Sequence, residues 1–103
     1  MCNKRPQAQE DLIGIWSYIA EKNRAAADQY LIDLEETLEF LSQNPFAAEA
    51  YFSRSTKTKG IRKCPVRNHI VFYLPQDDGI DVVRVLHSAM DIPRLLEKVK
   101  SEK

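Results

Sequence analysis

The sequence predicts an α+β domain: a helical hairpin packed on a small antiparallel sheet, followed by a short C-terminal helix. Three observations predict it. Apolar residues recur at helical spacing from Leu12 to Leu41, the period falls to two after Gly60, and Asp91 with Pro93 opens a last apolar turn. At 103 residues the chain is a single domain, 1–103, with one modest core.

The first helix runs from Pro6 to about Glu21, with Leu12, Ile15, Trp16 and Ile19 on one stripe. Pro6 suits the first turn, and Glu10 and Asp11 favour the positive end of the helix. Asn23 caps a second helix, in which Tyr30, Leu31, Leu34, Leu38 and Leu41 repeat the period until Asn44-Pro45 ends it. A link of two or three residues makes the pair an antiparallel hairpin. Residues 46–60 are irregular.

Ile61–Val66, His69–Leu74 and Ile80–His87 then read as strands, joined by Arg67-Asn68 and by the stretch from Pro75 to Gly79. Connections this short imply a meander. Pro65 cannot donate to a ladder and belongs at an edge or a bulge. Asp91 caps the last helix, which carries Leu95, Leu96 and Val99.

Strict alternation places Ile80, Val82, Arg84 and Leu86 on one face of the last strand, and Asp81, Val83, Val85 and His87 on the other. Ile70, Phe72 and Leu74 likewise oppose Val71 and Tyr73. Both faces are apolar in their middles, and one helical hairpin covers only one of them. The terminal helix is short and rich in lysine (Lys98, Lys100, Lys103). Either that helix or another chain must cover the second face, and a partner chain is the favoured expectation.

Composition excludes several classes. Cys2 and Cys64 are too few and too far apart for a disulfide framework and read as reduced thiols. Residues 1–7 hold no apolar leader segment, and no apolar run approaches the roughly 18–20 residues of a membrane span. A soluble, cytoplasmic protein is expected. There is no glycine-rich phosphate loop and no His/Cys spacing for a metal, so neither a cofactor nor a metal is expected. Ser88 lacks the elbow motif of a hydrolase.

Lysine plus arginine and aspartate plus glutamate each total 15, but residues 1–53 hold nine acidic and four basic side chains. The excess is reversed downstream. Arg54, Lys57, Lys59, Arg62, Lys63 and Arg67 follow one another with no acidic residue between them. Such a run is either a solvated loop and edge strand or a contact surface for an acidic partner or a nucleic acid. Tyr51 and Phe52 precede the run and do not interleave with it, as base-stacking would need.

Two residues of the last strand invite a chemical reading. Arg84, between Val83 and Val85, needs a carboxylate or a wet face; Asp91 or a partner's carboxylate could serve. His87 stands at the strand end, where a hydrogen bond would tie strand, turn and the Asp91 cap together.

Taken in order, several stretches resemble one family. They are Arg5–Ile19 (R-P-Q-A-Q-E-D-L-I-G-I-W-S-Y-I), Ala25–Tyr30, Leu38–Pro45, Gly60–Arg62, His69–Tyr73 and Arg84–Ile92 (R-V-L-H-S-A-M-D-I). The chain resembles the ParE branch of the RelE/ParE toxins, the toxin halves of bacterial type II toxin–antitoxin modules, plasmid stabilisation systems among them. The resemblance implies a first strand, a helical hairpin, a three-stranded meander and a variable terminal helix. It also implies a ParD-like antitoxin as partner and DNA gyrase as target, with no sequence-specific nucleic acid and no membrane.

The family opens with an alternating strand, whereas here Lys4 stands at an apolar position, so the first strand is expected to be short, irregular or absent. The ribonuclease branch uses basic residues near the end of the last strand and often a tyrosine beyond it. The matching stretch here is Ser88, Ala89 and Met90, and no tyrosine follows Tyr73. No catalytic residue is therefore expected. Arg54, Arg62, Arg67, Tyr73, Arg84, His87, Met90 and Asp91 are the candidates for binding an antitoxin or a target. The alternatives are a ribosome-dependent mRNA endoribonuclease of the RelE type, or a non-toxic antitoxin-binding homologue.

Overall fold

A computed structural model describes residues 1–52 and 58–99. The elements are β1 (Cys2–Lys4), α1 (Pro6–Ala20), α2 (Arg24–Gln43), β2 (Glu49–Ala50), β3 (Arg62–Val66), β4 (His69–Gln76), β5 (Gly79–His87) and α3 (Ile92–Glu97). The five strands form one sheet in the order β1-β5-β4-β3-β2. All neighbours are antiparallel except β1, which runs parallel to β5. Among the described residues no helix is long and apolar enough to cross a membrane.

The first strand forms, although its sequence lacks the expected alternation. Its anchor is polar. Asp81, only 7 % exposed, accepts from Asn3 Nδ2 at 2.7 Å and from Arg5 Nε at 2.9 Å. Arg5 N–H and Ile80 N–H extend the ladder to Val82 O and Met1 O at 3.0 and 2.9 Å. Gly79 makes this approach possible. Its φ is +153°, and a Cβ there would lie 1.6 Å from the Met1 carbonyl oxygen, so only glycine lets β1 close on the β4–β5 turn.

The hairpin forms as its periodicity requires. Asn23 accepts from Ala26 N–H at 3.0 Å and caps α2. Leu12, Tyr30, Leu34, Leu38 and Leu41 then meet Val66, Val71, Tyr73, Ile80, Val82 and Val85 of the sheet in the larger core. Trp16 departs from the expected stripe. Its indole N–H donates to Asp28 at 2.8 Å on the hairpin surface, beneath Arg24. Glu10 and Asp11 lie beyond the first turn of α1, where a helix dipole no longer acts strongly; Asp11 is used differently, as described below.

Strict alternation fails in β5. Tyr73 stands opposite Val82, but Phe72 stands opposite Arg84, so Val83 is an extra residue in a bulge. Beyond it the faces exchange. Val82 and Val85 both enter the hairpin-side core, whereas Val83 and Leu86 both enter the second one.

The second face is covered by the chain itself, which corrects the expectation of a partner there. Ile61, Phe72, Val83, Leu86 and Leu96 are each at most 2 % exposed. Ile92, Leu95 and Val99 complete the cover, with Tyr51 set edge-on to Phe72. The lysines misled the expectation because Lys98 stands at the end of α3, while Ile92, Leu95 and Leu96 of the helix and Val99 after it pack on the core. Pro65 lies past the short reach of β2, which pairs only with Arg62 and Lys63.

Candidate functional site

The bulge shapes the far end of the β4–β5 hairpin. Counted back from the turn without it, His69 would face Leu86 and His87 would face Asn68 in the β3–β4 turn. With the extra residue, His69 pairs directly with His87. Their rings meet edge to face with centroids 5.1 Å apart. They stand at an open cleft of about 580 Å³, walled by α1, the start of α2 and the ends of β4 and β5.

Tyr30 reaches this point from α2. Its hydroxyl lies 2.6 Å from His69 Nδ1 and accepts from Asn68 N–H at 3.2 Å. Burial lowers the His69 pKa, as does His87 beside it, against a smaller opposing effect of Asp11. His87 Nδ1 accepts the backbone N–H of Ala89 at 3.0 Å, and its carbonyl accepts from Met90 N–H at 3.0 Å. Ser88 N–H donates to Asn68 O at 2.9 Å. These bonds tie the strand end to its turn. The link expected between His87 and the Asp91 cap is absent among the described residues; Asp91 accepts from Arg94 N–H at 3.5 Å and serves α3 alone.

Arg84 finds its carboxylate on α1, not at Asp91 and not on a partner. Asp11 accepts from its Nε and Nη2 at 2.8 and 2.9 Å, and from Val85 N–H at 3.0 Å. Both side chains are about 85 % withdrawn from water, at 15 % and 14 % exposure. The hydrogen bond to Asp11 raises the Arg84 pKa above its ordinary value.

The other candidates divide. Met90 is 52 % exposed and lines the cleft. Arg67 pairs with Asp33 and lies over the Tyr30 ring at 5.2 Å. It takes a φ of 54°, which the tight β3–β4 turn imposes. Arg62 is half-buried: Nη1 donates to Ala48 O at 2.6 Å, and its guanidinium covers Phe46. Tyr73 is 0 % exposed and donates to Pro45 O at 2.8 Å, so it is a core residue and not a contact residue. Burial pushes its hydroxyl pKa up. Arg54 and Lys57 lie outside the described residues.

The basic run also looks different in space. Lys63 pairs with Glu49 at 3.8 Å and Arg67 with Asp33, so acids from β2 and α2 compensate charges that have none nearby in sequence. Among the described residues, no group of three or more His, Cys, Asp or Glu could hold a metal ion.

Sequence reasoning missed Asp11, Tyr30, Asn68 and His69 as members of the site. The bulge explains the miss of His69, since without it the histidines do not meet. Asp11 had a signal: an acid on the sheet-facing side of α1 with a lone strand arginine to serve.

The family model for the ParE toxin of type II toxin–antitoxin systems (parDE) matches residues 4–92. Toxin ParE1 of Mycobacterium tuberculosis strain CDC 1551 / Oshkosh is 36 % identical over 93 residues, covering 88 % of this chain and 92 % of that protein. A solved chain of the chromosomal ParDE TA system from P. aeruginosa superposes with a TM-score of 0.66 at 18 % identity, over 84 % of this chain and 92 % of that one. A chain of the YoeB-YefM complex from Staphylococcus aureus gives 0.56 at 19 %, over 84 % and 94 %. The fold is that of the RelE/ParE toxins, and the chain belongs to the ParE toxin family of type II toxin–antitoxin systems.

Proposed function

We propose that the chain is a non-catalytic toxin, neutralised by a ParD-like antitoxin and directed at DNA gyrase. One observation carries the non-catalytic part. The two groups best placed for acid–base or phosphate chemistry are constrained: Arg84 is held by Asp11 at two points, and His87 Nδ1 accepts from Ala89 N–H, which leaves the neutral ring no lone pair to act as a base. An arginine held this way is a poor ligand for a phosphate, because any gain there would cost it a matched carboxylate. Membership of the family supports the antitoxin, as does the likeness to chains solved from ParDE and YoeB-YefM systems. Exposed apolar side chains, among them Ile13, Ile32, Phe40 and Met90, support a protein partner. The gyrase target rests on the resemblance to ParE toxins.

Supercoiling of relaxed plasmid by purified gyrase, with the chain in excess, tests the reading. Inhibition that an added antitoxin reverses is the expected result. Untouched supercoiling, together with cleavage of messenger RNA on ribosomes, would replace it with the ribonuclease alternative.

A further inference from the structure

Gly14 stands in the middle of α1, where packing within the chain does not require a glycine. A Cβ built there meets nothing within 4 Å, so alanine fits and would favour the helix. What glycine offers at such a place is a bare backbone that another chain can approach closely. Among the described residues none comes that near, and the open side of Gly14 is the cleft at His69 and His87. Glu10, Gly14 and Tyr18 recur at intervals of four on one face of α1, and all three line that cleft. The helix wall therefore has a carboxylate at one end, an aromatic ring at the other and exposed backbone between them.

The charge of the cleft has one sign. Glu10 and Asp11 line it, and no lysine or arginine does. Arg84 answers Asp11 from the sheet, but among the described residues no ion pair holds Glu10. The imidazoles do not offset it. His87 Nδ1 accepts from Ala89 N–H, as only a neutral ring can, and burial, with His87 alongside, lowers the pKa of His69. A cation is therefore drawn in and an anion repelled. Ile15, Ile19, Val85 and Met90 give the cleft apolar walls, so the cation comes on an apolar stem. A guanidinium suits the place best, because it pairs with a carboxylate through two bonds and lies flat against aromatic rings.

We propose that α1 at Gly14 and the cleft beside it are a docking surface for an arginine of the antitoxin segment, whose backbone crosses α1 over Gly14 and whose guanidinium enters the cleft to pair with Glu10. This rests on the antitoxin reading above and assigns that partner a specific contact.

Butylguanidinium is the probe for the cleft, with butyrate as the control, followed through the backbone amide signals of Gly14 and Ala89 in the intact chain. Butylguanidinium should shift both signals saturably and butyrate should leave them in place. Glu10→Gln should weaken the probe by about fivefold, the effect of one exposed ion pair. The antitoxin complex tests the close approach. Gly14→Ala should raise the melting temperature of the free chain and yet hasten dissociation of the complex, a combination that a glycine without a contact would not give. Gly14→Gln, with a longer side chain on the same helix-compatible position, should hasten dissociation at least tenfold without lowering the melting temperature of the free chain. Equal shifts with butyrate, or an unchanged probe affinity in Glu10→Gln, would overturn the cation site. A complex as long-lived with Gly14→Gln as with the wild type would overturn the assignment of its occupant and leave the toxin–antitoxin reading standing. Failure of the wild type to form any complex would overturn both.

Discussion

Asp11 on α1 holds Arg84 on β5 through two parallel bonds of 2.8 and 2.9 Å, and takes the neighbouring Val85 N–H at 3.0 Å with the same carboxylate. One helix residue thus satisfies three donors just beyond the bulge. The two partners are unequal. Removing Asp11 orphans all three donors, whereas removing Arg84 leaves Asp11 its backbone partner. Asp11→Ala is expected to cost about 3 kcal/mol and Arg84→Met about half as much. Urea unfolding of both variants gives the comparison, and equal losses would refute the asymmetry.

Acid should weaken the fold through His69. Its folded pKa lies below the ordinary 6.5, so the native state favours the neutral ring and the unfolded chain binds the proton first. The contribution is whole above about pH 6.5 and is lost as the pH falls through the lowered folded value. Carboxylates also respond to acid, so the informative quantity is the difference between the wild type and His69→Gln. That difference should shrink below pH 6.5; growth of the difference in acid would reverse the assigned sign.

Gly79→Ala should release β1. The new Cβ meets the Met1 backbone at 1.6 Å, and the φ of +153° is strained for any side chain. A loss of roughly 2 kcal/mol is expected, with hydrogen-exchange protection vanishing at Arg5 and Ile80 before it does in the middle of β4. Uniform loss of protection would show instead that β1 and the meander unfold as one unit.

Leu96→Ala tests the self-covered second face. Leu96 is fully buried against Phe72, Val83 and Leu86, so truncation should cost about 2–4 kcal/mol. A negligible change in thermal melting would mean that α3 contributes little there and that the face is available to another chain.

Most elements were legible because periodicity carries them. The α2 stripe from Tyr30 to Leu41 and the alternation of β4 have no competing reading, and Asn23 and Asp91 mark helix starts by capping chemistry. Three features were not legible, each for a physical reason. β1 is fixed by hydrogen bonds to Asp81, which a hydrophobic pattern does not register. β2 is two residues long, too short to show a period. The bulge at Val83 leaves no mark in a run of β-branched residues that would fit either face.

The candidate site was half legible. Arg84 and His87 stood out as polar residues ending an apolar strand. Their partners lie 73 positions away, in the case of Asp11, or across a register that only the folded hairpin sets, in the case of His69.

Val83 acts on β5 as a phase shift acts on a wave. Upstream of it, even-numbered Ile80 and Val82 belong to the hairpin layer; downstream, odd-numbered Val85 does. Insertions or deletions in the β4–β5 turn and those beyond the bulge are therefore read by different halves of the strand. A relative that lost this one residue could keep every apolar position in composition and still part the two imidazoles. Matching such chains by hydrophobic alternation alone would align their cores correctly on one side of Val83 and invert them on the other.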